Sequence, residues 1–290
     1  MTLTIKANQW FTLDELDAAA AGPVPVELDE EAWRRVRISR ETLEKFVEND
    51  RVIYGVNTSM GGFVDWLVPV SMARELQENL INAVATNVGQ YLDDRTVRSI
   101  MLSRIVSLAR GNSAISPENL EKLIRLYNSG IAPCVPEKGS LGTSGDLGPL
   151  AAIALVGVGQ WKARLDGEIL PGGDALAKTG LEPMTLGFKE GLALINGTSG
   201  MVGLGTLVYA GARRLLDTYR ADAVGAGGTQ PPVGAEVPAS RDDQASRGGR
   251  LPHHLRAGPH RPQGGRPGRR PARARLPPAH RRQSPAPSPA

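Results

Sequence analysis

Apolar residues recur with helical spacing through most of the first 220 of the 290 positions. Thr12 before Leu13, Asp14 and Glu15 has the form of a capping box, in which a hydroxyl and a carboxylate each satisfy an amide left unpaired at a helix start. Asp29 opens a second helix through Trp33, Val36 and Leu43 to Phe46 and Val47. After Pro69, the positions Leu76, Leu80, Ala83, Val84 and Val88 predict a third helix, and Ile100, Leu102, Ile105, Val106 and Leu108 a fourth beyond the Asp93-Asp94 break. Pro117 fits the first turn of another, ending near Tyr127, because a proline there loses no helical hydrogen bond. Asp146-Leu147-Gly148-Pro149 leads into the apolar run Leu150-Ala151-Ala152-Ile153-Ala154-Leu155. A last helix follows Asn196-Gly197-Thr198-Ser199-Gly200 through Leu204, Leu207, Val208, Ala212, Leu215 and Leu216 to about Tyr219. Two stretches depart from this period. Residues 160–165 and 168–170, on either side of Asp166-Gly167, read as a hairpin that decorates the helices. The run Tyr54-Gly55-Val56-Asn57-Thr58-Ser59-Met60-Gly61-Gly62 reads as a flexible loop. Long helices joined by short loops predict a mainly α fold, a bundle with one small hairpin.

Composition then divides the chain. From 221 to 290 there is no Phe, Trp or Tyr, yet 12 of the 34 Lys+Arg residues, 13 of the 22 prolines and all four histidines fall there. With four acids this stretch carries +8 and the first 220 residues −4, so the formal net charge of +4 describes the tail and not the body. A Pro/Gly/Arg-rich stretch without period cannot bury enough apolar area to offset the entropy of ordering it. The expected organisation is a helical domain over 1–220 followed by a disordered tail over 221–290. The tail lacks interleaved aromatics, so specific nucleic-acid binding is not expected. Its abrupt onset inside a helical pattern is also what a reading-frame shift in GC-rich coding DNA would produce.

Cys134 is the single cysteine, which excludes an internal disulfide framework and fits a reducing, cytoplasmic setting. No charged-then-apolar leader and no apolar run of membrane-spanning length is present, so no membrane association is expected. With no histidine before residue 253, the body can assemble neither a Ser-His-Asp or Cys-His hydrolase nor a His-rich metal centre. No metal is expected.

One segment carries chemistry that needs none of these. In Gly139-Ser140-Leu141-Gly142-Thr143-Ser144-Gly145-Asp146-Leu147-Gly148-Pro149-Leu150, glycines relax the backbone around Thr143-Ser144-Gly145. The nitrogen of Gly145 could approach the Thr143 carbonyl and close a five-membered ring. Loss of two waters, one from the Ser144 hydroxyl, would leave a methylidene-imidazolone, an electrophile that no side chain supplies. Negative charge on it would face the amides at the start of the following helix. Pattern alone favours a plain loop, and Gly-Thr-Ser-Gly occurs a second time at 197–200.

The segment resembles the cofactor-forming motif of the aromatic amino acid ammonia-lyase and aminomutase family, with Thr143 where members most often carry Ala. The resemblance covers roughly residues 8–220. It selects the first Gly-Thr-Ser-Gly for the ring, because Leu194-Ile195-Asn196-Gly197-Thr198 resembles a separate segment whose Asn, here Asn196, bonds within the active site. Tyr54-Gly55-Val56-Asn57-Thr58 resembles the catalytic Tyr loop. This implies that Tyr54 takes the substrate's β-proton, which demands a phenol pKa below its ordinary ~10 or a proton relay. The resemblance implies further that Gly61, Ala83 and Val84 contact substrate. Ala83 and Val84 offer no partner for a phenol or an imidazole, so L-phenylalanine is the expected substrate and trans-cinnamate the product. A 2,3-aminomutase forming β-phenylalanine, or an inactive fragment with a basic tail, are the alternatives. Members are homotetramers and much longer. Their later part supplies an Arg for the substrate carboxylate and a second Tyr loop, which makes tetramer formation and a complete site doubtful for this chain.

Overall fold

The computed structural model describes residues 2–22, 24–59, 66–139 and 145–225. Among them the chain is mainly α, as its periodicity predicts. A short strand β1 (Leu3–Ile5) pairs in parallel with β2 (Val26–Leu28), and helix α1 (Leu13–Ala21) connects them. Thr12 and Glu15 form the expected capping box on α1. Asp29 caps α2 (Glu30–Glu48) by accepting from the Ala32 amide at 2.8 Å. A 3-10 turn at Val70–Met72 leads into α3 (Ala73–Val84), then β3 (Val88–Tyr91), α4 (Asp94–Ala109) and α5 (Pro117–Asn128). Strands β4 (Ala132–Pro133) and β5 (Pro136–Lys138) follow, and then α6 (Leu147–Gly157), β6 (Lys162–Leu165), β7 (Glu168–Pro171), α7 (Gly172–Lys178), α8 (Glu190–Ile195) and α9 (Ser199–Gly225).

The core gathers around α4. Ile100, Met101, Leu102, Ile105 and Leu108 are fully buried there, facing Leu120, Leu123 and Leu126 of α5. Helix α6 is apolar on every side from Leu150 to Val156 and is buried on every side, as a helix without a polar face must be. A smaller cluster of Leu43, Val47, Val56 and Ala114, with Ile53 and Phe188 against it, supports the loop that carries Tyr54.

The structure corrects the periodic reading in four places. The third helix stops at Val84, with Val88 in a strand that pairs antiparallel to β5. Gly89 there has φ +100, which no helix accommodates. The buried stripe of α3 is Ala73, Gln77 and Ile81, one position removed from the predicted Leu76 and Leu80. The hairpin β6–β7 is not mere decoration, since β4 extends it to three antiparallel strands and Trp161 Nε1 donates to the Cys134 carbonyl at 2.8 Å. Finally, α9 continues past Tyr219 to Gly225. No helix among the described residues is long and apolar enough to cross a membrane.

Candidate active site

Three helix ends converge on one short stretch of backbone. Gly145, just before α6, forms an isolated parallel bridge with Gly197, in the turn between α8 and α9. The Asp146 amide donates to the Gly197 carbonyl at 3.2 Å. Asp146 is buried and its Oδ2 accepts from the Met201 amide at 2.7 Å, so this carboxylate caps the first turn of α9 and makes no side-chain cap on α6. The two Gly-Thr-Ser-Gly copies thus meet, the end of the first against the start of the second. The N-termini of α6 and α9 both lie at this point, and together they favour negative charge.

Gly145 has φ +87, and a Cβ on it would lie 3.2 Å from the Gly197 carbonyl oxygen. A side chain is disfavoured there twice, by conformation and by space. That is the residue type a ring closed through this nitrogen requires. Asn87 lies at the base of the same segment. It is buried, its Nδ2 donates to the Pro136 carbonyl at 3.4 Å and its Oδ1 has no partner among the described residues. Its carboxamide occupies the space that a Cβ would need at Gly139 and at Gly148, the glycines on either side of the segment.

Asn196 ends α8 with an exposed side chain. A cleft of about 570 Å³ beside it is lined by Phe11, Ser103, Arg104, Asn196, Thr198 and Val202, among others. Arg104, buried on α4, donates to the Ala193 carbonyl in the last turn of α8. Burial pushes its pKa down to about 10, which leaves it charged at neutral pH. The same cation, after burial, contributes to lowering the Lys189 pKa.

Gln77 ties the Tyr54 turn to this assembly. The turn is closed by the Gly55 amide on Thr58 Oγ1 at 3.1 Å and by the Ile53 amide on Asn57 Oδ1 at 2.7 Å. Gln77, wholly buried on α3, donates to the Gly55 carbonyl at 3.4 Å and accepts from the Leu192 amide of α8 at 3.0 Å. The Tyr54 turn and the helix ending in Asn196 are therefore joined through the Gln77 carboxamide. Tyr54 itself is 53% exposed.

Of the residues singled out in the sequence, Gly145 and Asn196 lie on adjoining backbone, and Tyr54 is tied to them at one remove. Ala83 is exposed near the end of α3, and Val84 packs against the main core. Neither lines the cleft beside Asn196. Gly61, Thr143 and Ser144 lie outside the described residues.

The aromatic amino acid lyase family model matches residues 11–247. The chain belongs to this family. Over 205 residues it is 45% identical to a histidine ammonia-lyase of Gloeobacter violaceus, a match that covers 71% of this chain and 40% of that relative. Among solved structures it is similar to a phenylalanine aminomutase of Pantoea agglomerans, with 62% identity and a TM-score of 0.73 over 75% of this chain and 42% of that one. It is also similar to a histidine ammonia-lyase of Trypanosoma cruzi, with 33% identity and a TM-score of 0.68 over 74% and 41%. The chain therefore spans about two fifths of the length of these lyase-family relatives. Two polar residues of this lyase-family site, Gln77 and Arg104, escape a reading by motif. Both stand in helices that carry other polar residues, so only their burial marks them.

Proposed function

We propose that this chain is the cofactor-forming part of an ammonia-lyase acting on L-phenylalanine, with Thr143, Ser144 and Gly145 condensing into 4-methylidene-imidazol-5-one. The observation that carries this reading is the backbone pairing of Gly145 with Gly197, which puts the end of the tripeptide beside Asn196 and before the amides of α6 and α9. The bound electrophile supplies the acceptor for the substrate's electrons. The chain's own residues supply part of the remaining site. Asn196 orients substrate by hydrogen bonding. Tyr54 takes the β-proton, and Gly61, Ala83 and Val84 face the ring of the substrate.

Phenylalanine is favoured because the body holds no histidine and because the resemblance assigns Ala83 and Val84, which offer no polar partner to an imidazole or phenol, to the selectivity positions. An unpaired buried polar group there would oppose binding. The 62% identity to a phenylalanine aminomutase supports the same side chain, and it favours a second reading in which the amine returns to the β-carbon. The domain division at 220 and the frame-shift origin of 221–290 belong to this proposal, as does a cytoplasmic homotetramer. Translation of the other reading frames downstream of residue 220 tests the frame shift.

The direct test is the mass of the peptide spanning Thr143, Ser144 and Gly145, together with product analysis on L-phenylalanine. A peptide lighter by two waters is expected. Cinnamate alone marks a lyase, and β-phenylalanine a mutase. An unmodified mass in an assembled protein overturns the reading.

A further inference from the structure

Arg104 stands outside every motif in the sequence, yet its guanidinium underlies the turn that meets the cofactor segment. It arises from α4, the central helix, where its neighbours Ser103 and Ile105 are also buried. Only 3% of Arg104 is exposed, and its Nε has no hydrogen-bond partner among the described residues. A guanidinium placed so deep is costly unless its donors are used. One donor is used on the Ala193 carbonyl, among the orphan carbonyls in the last turn of α8. The NH1 group fills the space where Gly197 would carry a Cβ. No other residue type fits over this guanidinium without displacing it. Gly197 in turn accepts the Asp146 amide and pairs with Gly145.

We infer that Arg104 is a positioning residue, which fixes the α8–α9 turn in the register at which Gly197 holds Gly145 and Asp146, and through them the ring-forming tripeptide. The last clause rests on the proposed function, and the first does not. The residue acts through backbone and touches no reacting atom. A charged fork suits this task, because one of its terminal nitrogens donates to the Ala193 carbonyl while the other fills the space beside Gly197. Its charge lies at the negative end of α8, where a cation is favoured. The chain Arg104, Ala193 and Gly197, Asp146 therefore links the centre of the core to the cofactor segment in three short steps.

Amide exchange in the 290-residue chain, read by mass spectrometry, tests the positional claim. Arg104→Met keeps the stem and removes the donors. It is expected to speed exchange at residues 145–147 and 193–201 by about tenfold, the loss of one buried hydrogen bond, and to leave α5 unchanged. Arg104→Lys keeps charge and one donor, and should restore most of the protection. Leu126→Ala, a core change in α5, supplies the pattern of general destabilisation, with faster exchange throughout. If Arg104→Met matches the wild type in the two segments, or matches Leu126→Ala everywhere, the inference is overturned. The mass of the tripeptide is a separate readout. Where the wild-type peptide has lost two waters, Arg104→Met should leave most of it unmodified, and an equal extent of ring formation would sever Arg104 from the cofactor. Where the wild type itself stays unmodified, the proposed function fails and the exchange data still decide the role of Arg104 in the turn.

Discussion

Gly145 shows how much of the site rests on single backbone positions. At φ +87, with the Gly197 oxygen 3.2 Å from where a methyl would stand, Gly145→Ala is expected to cost about 1–2 kcal/mol from the left-handed conformation alone. A thermal unfolding midpoint checks this, and the mass of the tripeptide should show impaired ring formation in the same variant. Tyr54→Phe makes the opposite prediction. The bonds that close its turn run through Gly55, Thr58, Ile53 and Asn57, so these bonds remain when the phenol oxygen is removed. In an assembly competent for turnover, kcat should fall by about 10²–10⁴-fold, the usual worth of a general base, with the tripeptide still lighter by two waters. A variant that turns over normally would remove Tyr54 from the proton transfer. At this scale the sequence exposes residues whose type is itself unusual, such as the Tyr in a glycine loop or the doubled Gly-Thr-Ser-Gly. It hides Gln77 and Arg104, because a glutamine or arginine in a helix is ordinarily a solvated residue. Only the packing of α3 and α4 reveals that these two are buried.

Helix starts are where sequence and structure correspond most closely, because capping is local chemistry. Asp93 caps α4 by accepting from the Thr96 amide at 2.9 Å and its hydroxyl at 2.7 Å. Burial pulls the Asp93 carboxyl upward, but these bonds outweigh it and hold its pKa below the ordinary value. A carboxyl lowered in this way stabilises the fold at pH above the unfolded value of ~3.9 and loses that contribution as pH falls through the folded value. Asp93→Ala should therefore cost about 1 kcal/mol at neutral pH, and the gap to the wild type should close progressively on acidification below about pH 4. Urea unfolding at several pH values measures both. Strands correspond poorly to the sequence. The run through Thr86, Asn87 and Val88 has helical spacing, yet the positive φ at Gly89 and the pairing with β5 turn it into β3. That pairing is with residues almost fifty positions later, which no local pattern encodes. The contact it creates is testable. Gly148→Ala would drive a methyl into the Asn87 carboxamide, and should cost about 1–3 kcal/mol by overpacking, whereas Asn87→Ala made together with it should recover much of the loss.

For the whole molecule, α9 is the informative element. It packs on α4 through small residues, with Gly203 so close to Ile100 that a Cβ would stand 2.6 Å from its amide nitrogen, and Ser99 Oγ donates to the Gly203 carbonyl at 2.9 Å. Arg213 and Arg214 pair with Asp14 and Asp17 of α1 along a second side. The remaining side is apolar. Met201, Leu204, Val208, Leu215 and Tyr219 recur at intervals of three, four or seven, and Val208, Leu215 and Tyr219 are 70% or more exposed. A helix of 27 residues, about 40 Å long, with apolar stripes on two sides is a helix made to be covered on two sides. The chain spans two fifths of its relatives' length, and none of the described residues covers the outer stripe. In the 290-residue chain it forms an exposed patch of the kind that drives association. Light scattering and sedimentation at rising concentration should therefore show self-association. Replacing Val208, Leu215 and Tyr219 together by lysine should suppress it and leave the thermal midpoint of the α4 core nearly unchanged, because none of the three is buried. In a version extended to the relatives' full length, the same triple change should instead prevent assembly. Solubility indifferent to the substitution in the short chain would place the adhesive surface elsewhere and remove α9 from the interface.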